Sequence, residues 1–281
     1  MRAEDVRRSP LVVGVDSSDF ARHAVEWAAD LASVWRVPLQ LVNAAAAVPG
    51  EPAAAATPPW LRELLDAAER AGAERVGAEV VVGGVAEVLL DRSGGAGLVV
   101  VGSYGEGAQG GRLAGSTALA LVARAGCPVA VVRGAAAQLP PPRRGPVVVG
   151  VDGSPAGAAA LDLAAALAAA FGARLVAVQA WTDVVADTSG GLHRSAASGT
   201  ELAARAAELL DTQLTPVRDR HPGVAVERQV VNDTALSALL DQAREARTMV
   251  VGHRGAAATT SRLGSTSRGL VEFAPCPVVV A

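Results

Sequence analysis

Leu11–Ala32 reads LVVGVDSSDFARHAVEWAADLA, and Val147–Ala168 reads VVVGVDGSPAGAAALDLAAALA. In each stretch a valine-rich run ends in Gly-Val-Asp, and an alanine-rich helical pattern follows. A short apolar run bounded by turn residues is what a strand buried on both faces requires. Ser17 or Ser18 is placed to cap a helix beginning near Asp19. Ser154-Pro155 is a clearer start, an N-cap hydroxyl followed by proline at the first helical position.

Outward from these stretches the repeat continues. In the first copy come PLQLVN (Pro38–Asn43), a helical pattern from about Trp60, AEVVV (Ala78–Val82) and a helix around AEVLLDRS (Ala86–Ser93). LVVVG (Leu98–Gly102), a glycine-bearing loop, a helix from about Ser116 and PVAVV (Pro128–Val132) complete it. The second copy keeps the order and ends in PVVVA (Pro277–Ala281). Five strands alternating with four helices predict an α/β fold with a parallel sheet and right-handed crossovers. Asp16 and Asp152 are 136 residues apart, whereas Gly102 and Gly252 are 150 apart, so the second copy holds about 14 extra residues. They fall around TDVVADTSGGLHRSAASGT (Thr182–Thr200). The period is too long for a solenoid, and the copies read as domains: 1–134, a proline-bearing linker over 135–145, and 146–281. Ala44–Pro59 reads as a passive low-complexity loop inside the first.

Composition narrows the function. Apolar residues make up 51% of the 281-residue chain and aromatics 3%, so the core must be built from Val, Leu and Ala. The formal charge of −3 argues against nucleic acid or an anionic membrane as partner. There is no lysine, which excludes a Walker-type phosphate loop and Schiff-base chemistry. Cys127 and Cys276, each followed by proline, read as small buried hydrophobes rather than a zinc or redox pair. No signal peptide and no membrane span are expected, which points to a cytoplasmic protein.

The chemistry concentrates in the loop after the fourth strand. In VVGSYGEGAQGGRLAGST (Val100–Thr117), two residues separate Gly102 from Gly105 and nine separate Gly105 from Gly115, with Ser116 and Thr117 following. In VVGHRGAAATTSRLGST (Val250–Thr266), the matching residues are Gly252, Gly255, Gly264, Ser265 and Thr266, with eight residues in the longer gap. Glycines let backbone N–H groups approach an anion, and a helix starting at Ser116 would offer unpaired N–H groups to phosphate oxygens. Asp16 and Asp152, at the ends of first strands, would emerge at the same sheet edge, where ligands of open α/β folds sit. An acceptor-only carboxylate there suits an adenine amino group or ribose hydroxyls.

These motifs together, with GVDSS, GVDGSP, LVVVGSYG, GCPVAVV and PCPVVVA, resemble the universal stress protein family in tandem form. The resemblance implies two Rossmann-like five-stranded domains of strand order 3-2-1-4-5, and ATP, with Mg2+, as ligand. By it Asp16 meets the adenine end, Val42 near the end of the second strand gives backbone contacts, and Gly102, Gly105, Gly115, Ser116 and Thr117 hold the phosphates. Asp152, Val178, Gly252, Gly255, Gly264, Ser265 and Thr266 form the second set. Glu106 places like charge beside the first cradle, with Arg112 to offset it, and Arg254 and Arg262 favour phosphate in the second.

Other patterns carry less. Gly105, Gly107 and Gly110 spell G-x-G-x-x-G, but after the fourth strand and too far from a helix start. SGGLHRS (Ser189–Ser195) lacks the aspartate of a pyrophosphatase loop and reads as a flexible loop. His23, His193, His221 and His253 form no ligand pair, and no metal site or catalytic residue is expected. The resulting reading is an ATP-binding stress-response regulator with two pockets and slow hydrolysis at most. The alternative is an interaction module that has lost nucleotide binding at one or both sites. The apolar last strands, from Pro128 and Pro277, are expected to pair within the chain as a pseudo-dimer, with a further homodimer through them open.

Overall fold

The two Gly-Val-Asp runs form β1 (Leu11–Gly14) and β6 (Val147–Gly150), and the helices after them are α2 (Asp19–Trp35) and α6 (Pro155–Phe171). A computed structural model of the chain describes residues 2–45, 57–104, 114–136, 139–182, 184–186, 192–194, 197–255 and 263–281. Ser18 starts α2 by accepting the Ala21 N–H at 3.2 Å, and Ser154 starts α6 by accepting that of Gly157 at 2.9 Å. Both helices end in a left-handed residue, Gly172 (φ 59°) in one copy and Arg36 (φ 55°) in the other. Glycine adopts that cap without strain and arginine does not.

The first half continues with β2 (Leu39–Ala45), α3 (Pro59–Arg70), β3 (Val76–Val82), α4 (Val85–Ser93), β4 (Leu98–Gly102), α5 (Ser116–Arg124) and β5 (Val129–Val132). The second continues with β7 (Leu175–Trp181), α7 (Gly199–Arg220), β10 (Val226–Asn232), α8 (Ala235–Ala243), β11 (Thr248–Val251), α9 (Ser265–Phe273) and β12 (Val278–Val280). Two features were not anticipated. A short helix, α1 (Ala3–Val6), buries Ala3 and Val6 and packs on α6 of the other half. Among the extra residues of the second copy, β8 (Val184–Ala186) pairs antiparallel with β9 (Leu192–Arg194), which falls in the stretch read as a flexible loop.

Ten strands form one sheet in the order β10-β7-β6-β11-β12-β5-β4-β1-β2-β3. Each half is therefore a parallel 3-2-1-4-5 unit, as expected. The halves join where β12 meets β5 antiparallel, Val278 opposite Val131, Val279 opposite Ala130 and Val280 opposite Val129. β5 thus lies between β4 and β12, and β12 between β11 and β5. Within the chain neither last strand keeps an open edge. The open edges are β3 and β10.

Both cores run across this seam. Residues of α2, α3, α6 and α7 bury one face of the sheet, and residues of α4, α5, α8 and α9 bury the other. On the first face the Trp27 ring meets that of Phe171 edge-on at 5.9 Å, and the Arg247 guanidinium lies 3.8 Å over Phe171. Arg143 bridges Glu26 (2.9 Å) and Asp30 (3.4 Å), with Arg247 3.6 Å from Asp30. Burial raises the Asp30 carboxyl above its usual value, and the two arginines oppose that shift. Arg133, just past β5, donates to the Glu272 carbonyl at 2.8 Å, placing a cation at the C-terminus of α9. Because the seam is antiparallel, the strands of the two halves end on opposite edges of the sheet. Among the described residues no helix is long and apolar enough to cross a membrane.

Candidate functional site

At the end of β1, Asp16 Oδ1 accepts from the N–H of Ser18 at 3.1 Å and also from its hydroxyl. Asp152 repeats the arrangement with Ser154, at 3.0 Å from the N–H and 2.6 Å from the hydroxyl. Each carboxylate fastens the turn that begins a helix, the ordinary structural work of such a residue. The same bonds fix it at the C-terminal edge of its half of the sheet. In the second half a Cβ on Gly255 would lie 3.1 Å from Asp152 Oδ2, so Gly255 sits directly against the carboxylate.

Gly102 and Gly252 have a clear packing role. A Cβ on Gly102 would come within 2.7 Å of Phe20 Cβ and 2.9 Å of its carbonyl carbon. On Gly252 it would lie 2.8 Å from the carbonyl carbon of Ala156. Each glycine lets a strand end touch the first turn of the helix that follows the aspartate.

Gly115 and Gly264 cap α5 and α9 from extended backbone, with φ −69° and −62°. Their N–H groups donate back to the strand ends, to Ser103 O at 2.8 Å and His253 O at 3.0 Å. Among the described residues no side chain caps either helix, whereas Ser18, Ser154, Ser198 and Thr234 cap α2, α6, α7 and α8. The first turns of α5 and α9, holding Ser116, Thr117, Ser265 and Thr266, therefore present N–H groups with a partial positive charge. Gly105, Glu106, Gly107, Gly110, Arg112 and Arg262 lie outside the described residues.

Val42 and Val178 stand opposite Gly14 and Gly150, three residues before the ends of β2 and β7. Both lie inside their strands, 1% exposed, and their carbonyls accept the N–H groups of Val15 and Val151 at 2.9 Å. Parallel pairing with the outer strands carries β2 on to Ala45 opposite Val82, and β7 on to Trp181 opposite Asn232. Ala44, Ala45, Ala180 and Trp181 carry the two strands to their ends.

Sequence reading also passed over Ser103, Phe20 and Tyr104. The Tyr104 ring packs on Phe20 at 5.3 Å, anchoring the start of the first loop to α2. The signal was present in the repeat itself, where Ser103 stands opposite His253 and Tyr104 opposite Arg254. A shallow cavity of about 450 Å³ lined by Gly172, Arg174, His221 and Val224 lies before β7 and β10, at the other ends of those strands.

Cys127 and Cys276 are buried beneath the last strands, and desolvation pushes their thiols up to about 11 and about 12. We expect neither to react with a thiol reagent in the native protein at pH 8 and both to react in denaturant, because the thiolate is the nucleophile. Rapid native labelling of either would contradict this. Among the described residues no cluster of His, Cys, Asp and Glu could hold a metal ion.

The universal stress protein family model matches residues 8–133 and again 144–281. Universal stress protein Rv2623 of Mycobacterium tuberculosis (strain ATCC 25618 / H37Rv) is 34% identical over 288 residues, covering 96% of this chain and 95% of that protein. Universal stress protein Rv2005c of the same strain is 36% identical over 289 residues, covering 96% of each. A universal stress protein structure from Archaeoglobus fulgidus DSM 4304 shares the fold at TM-score 0.66 and 18% identity, covering 97% of both chains. The chain belongs to the universal stress protein family and carries the family's domain in tandem.

Proposed function

We propose that the protein is an ATP-binding regulator of a stress response, with one nucleotide pocket in each half and little or no hydrolysis. One observation carries this reading. In both halves a helix N-terminus that no described side chain caps is held by its glycine to a strand end, at the sheet edge where an aspartate is also fixed. Gly105, Gly115, Ser116 and Thr117 would take the phosphates in the first half, and Gly255, Gly264, Ser265 and Thr266 in the second. Asp16 and Asp152 would read the adenosine end, together with backbone from the last residues of β2 and β7. Mg2+ would arrive with the nucleotide. The domains divide near residues 134 and 146, the antiparallel β5–β12 pairing supports an internal pseudo-dimer, and the setting is the cytoplasm.

A second reading is an interaction module whose motif residues serve only the fold. It draws on Gly102, Gly252, Asp16 and Asp152, all of which have packing or capping work without any ligand. Equilibrium titration with ATP and magnesium, read for stoichiometry per chain, separates the two. Two sites are expected; one site restricts binding to one half, and none at millimolar ATP favours the module.

A further inference from the structure

Ser103 is 1% exposed, yet its hydroxyl has no hydrogen-bond partner. A buried hydroxyl in that state lowers the stability of the chain that carries it. Alternation along β4 sets the direction it faces. Leu98 and Val100 join the core beneath α2, Val99 and Val101 join that beneath α4 and α5, and the missing Cβ of Gly102 points at Phe20 of α2. Ser103 therefore faces the α5 side. Its own carbonyl holds the Gly115 N–H at 2.8 Å, so the unpartnered hydroxyl stands beside the N-terminus of a helix that no described side chain caps.

The second half arranges its hydroxyl differently. His253 takes the place of Ser103, and Ser267 of α9, where the first half has Ala118, donates to the Gly252 carbonyl at 2.7 Å. That hydroxyl is committed within the protein; the one in the first half is not.

We propose that Ser103 is a specificity residue of the first site, its hydroxyl donating to a non-bridging phosphate oxygen held at the N-terminus of α5. In the second site His253 takes that position, and the nearby Ser267 hydroxyl is committed to the Gly252 carbonyl. The proposal rests on the nucleotide reading above. It explains why a buried hydroxyl persists without a partner in the ligand-free chain, since its acceptor comes with the ligand.

The test is S103A, titrated with magnesium-ATP and separately with adenosine, alongside denaturant unfolding without ligand. Removing the hydroxyl should leave the unfolding midpoint unchanged or raise it. ATP affinity at one site should fall about tenfold, the effect of one lost hydrogen bond to a charged group, with the other site unaltered. Adenosine, which has no phosphate, should bind the variant and the parent protein alike. S267A is the control: it should lower stability and leave ATP affinity intact. Unchanged ATP binding in S103A overturns the proposal, and so does an equal loss for ATP and adenosine, which would mean a distorted pocket. Failure of the parent protein to bind ATP is a separate result that removes the nucleotide reading and this proposal with it.

Discussion

Replacing Val279 with aspartate should destabilise the chain by more than about 4 kcal/mol, the range reached when a charge is buried without a partner. Val279 is 0% exposed at the centre of β12, paired with Val250 on one side and Ala130 on the other. It belongs to the core that runs beneath helices of both halves. A carboxylate there must either remain unsolvated or bring water into the seam, and either outcome weakens both halves together. Val279→Ala keeps the backbone pairing and removes only apolar contact, so it should cost about 2 kcal/mol. Urea unfolding followed by circular dichroism measures both. A Val279→Asp midpoint within about 1 kcal/mol of the parent protein would show that the seam is not a core.

Gly102→Val should cost about 3 kcal/mol, at the upper end for overpacking. The obstruction is backbone: the new Cβ would sit 2.9 Å from the carbonyl carbon and 3.0 Å from the carbonyl oxygen of Phe20. No rotamer change relieves that, so the first turn of α2 must move, and the Ser18 cap with it. Gly252→Val meets Ala156 in the same way and should cost a similar amount. Gly115→Ala makes the contrast, since its Cβ would lie 3.4 Å from Ser103 O on backbone that any residue adopts. It should change stability by less than about 1 kcal/mol. Equal losses at Gly102 and Gly115 would contradict the separation of packing glycine from cap glycine.

Much of the fold was legible because its signals are local. Valine runs ending in Gly-Val-Asp, the serines that cap α2 and α6, and the strand–helix alternation all lie within short windows of sequence. What escaped depends on distant neighbours. Val42 looked like the end of a strand, but β2 runs on because β3 continues beside it. The packing of α1 on α6 and the grip of Arg133 on α9 join residues far apart in the chain. At the site, the packing of Gly102 on Phe20 escaped notice because close approach to a helix and close approach to a ligand call for the same residue. Ser103 was marked in the repeat only by standing opposite His253, since its burial and want of a partner are properties of the folded chain.

The β5–β12 join has a consequence for how the protein behaves in solution. Its two sides are tethered within one chain, so they meet at an effective concentration on the order of millimolar, whatever the amount of protein present. The union of the halves should therefore survive any dilution, unlike a dimer of single-domain subunits, whose partners separate as they become scarce. The tether also frees each half from being a copy of the other. A substitution such as serine for histidine at the end of β4 can alter one pocket and leave its twin unchanged, which a symmetric dimer of identical subunits cannot do.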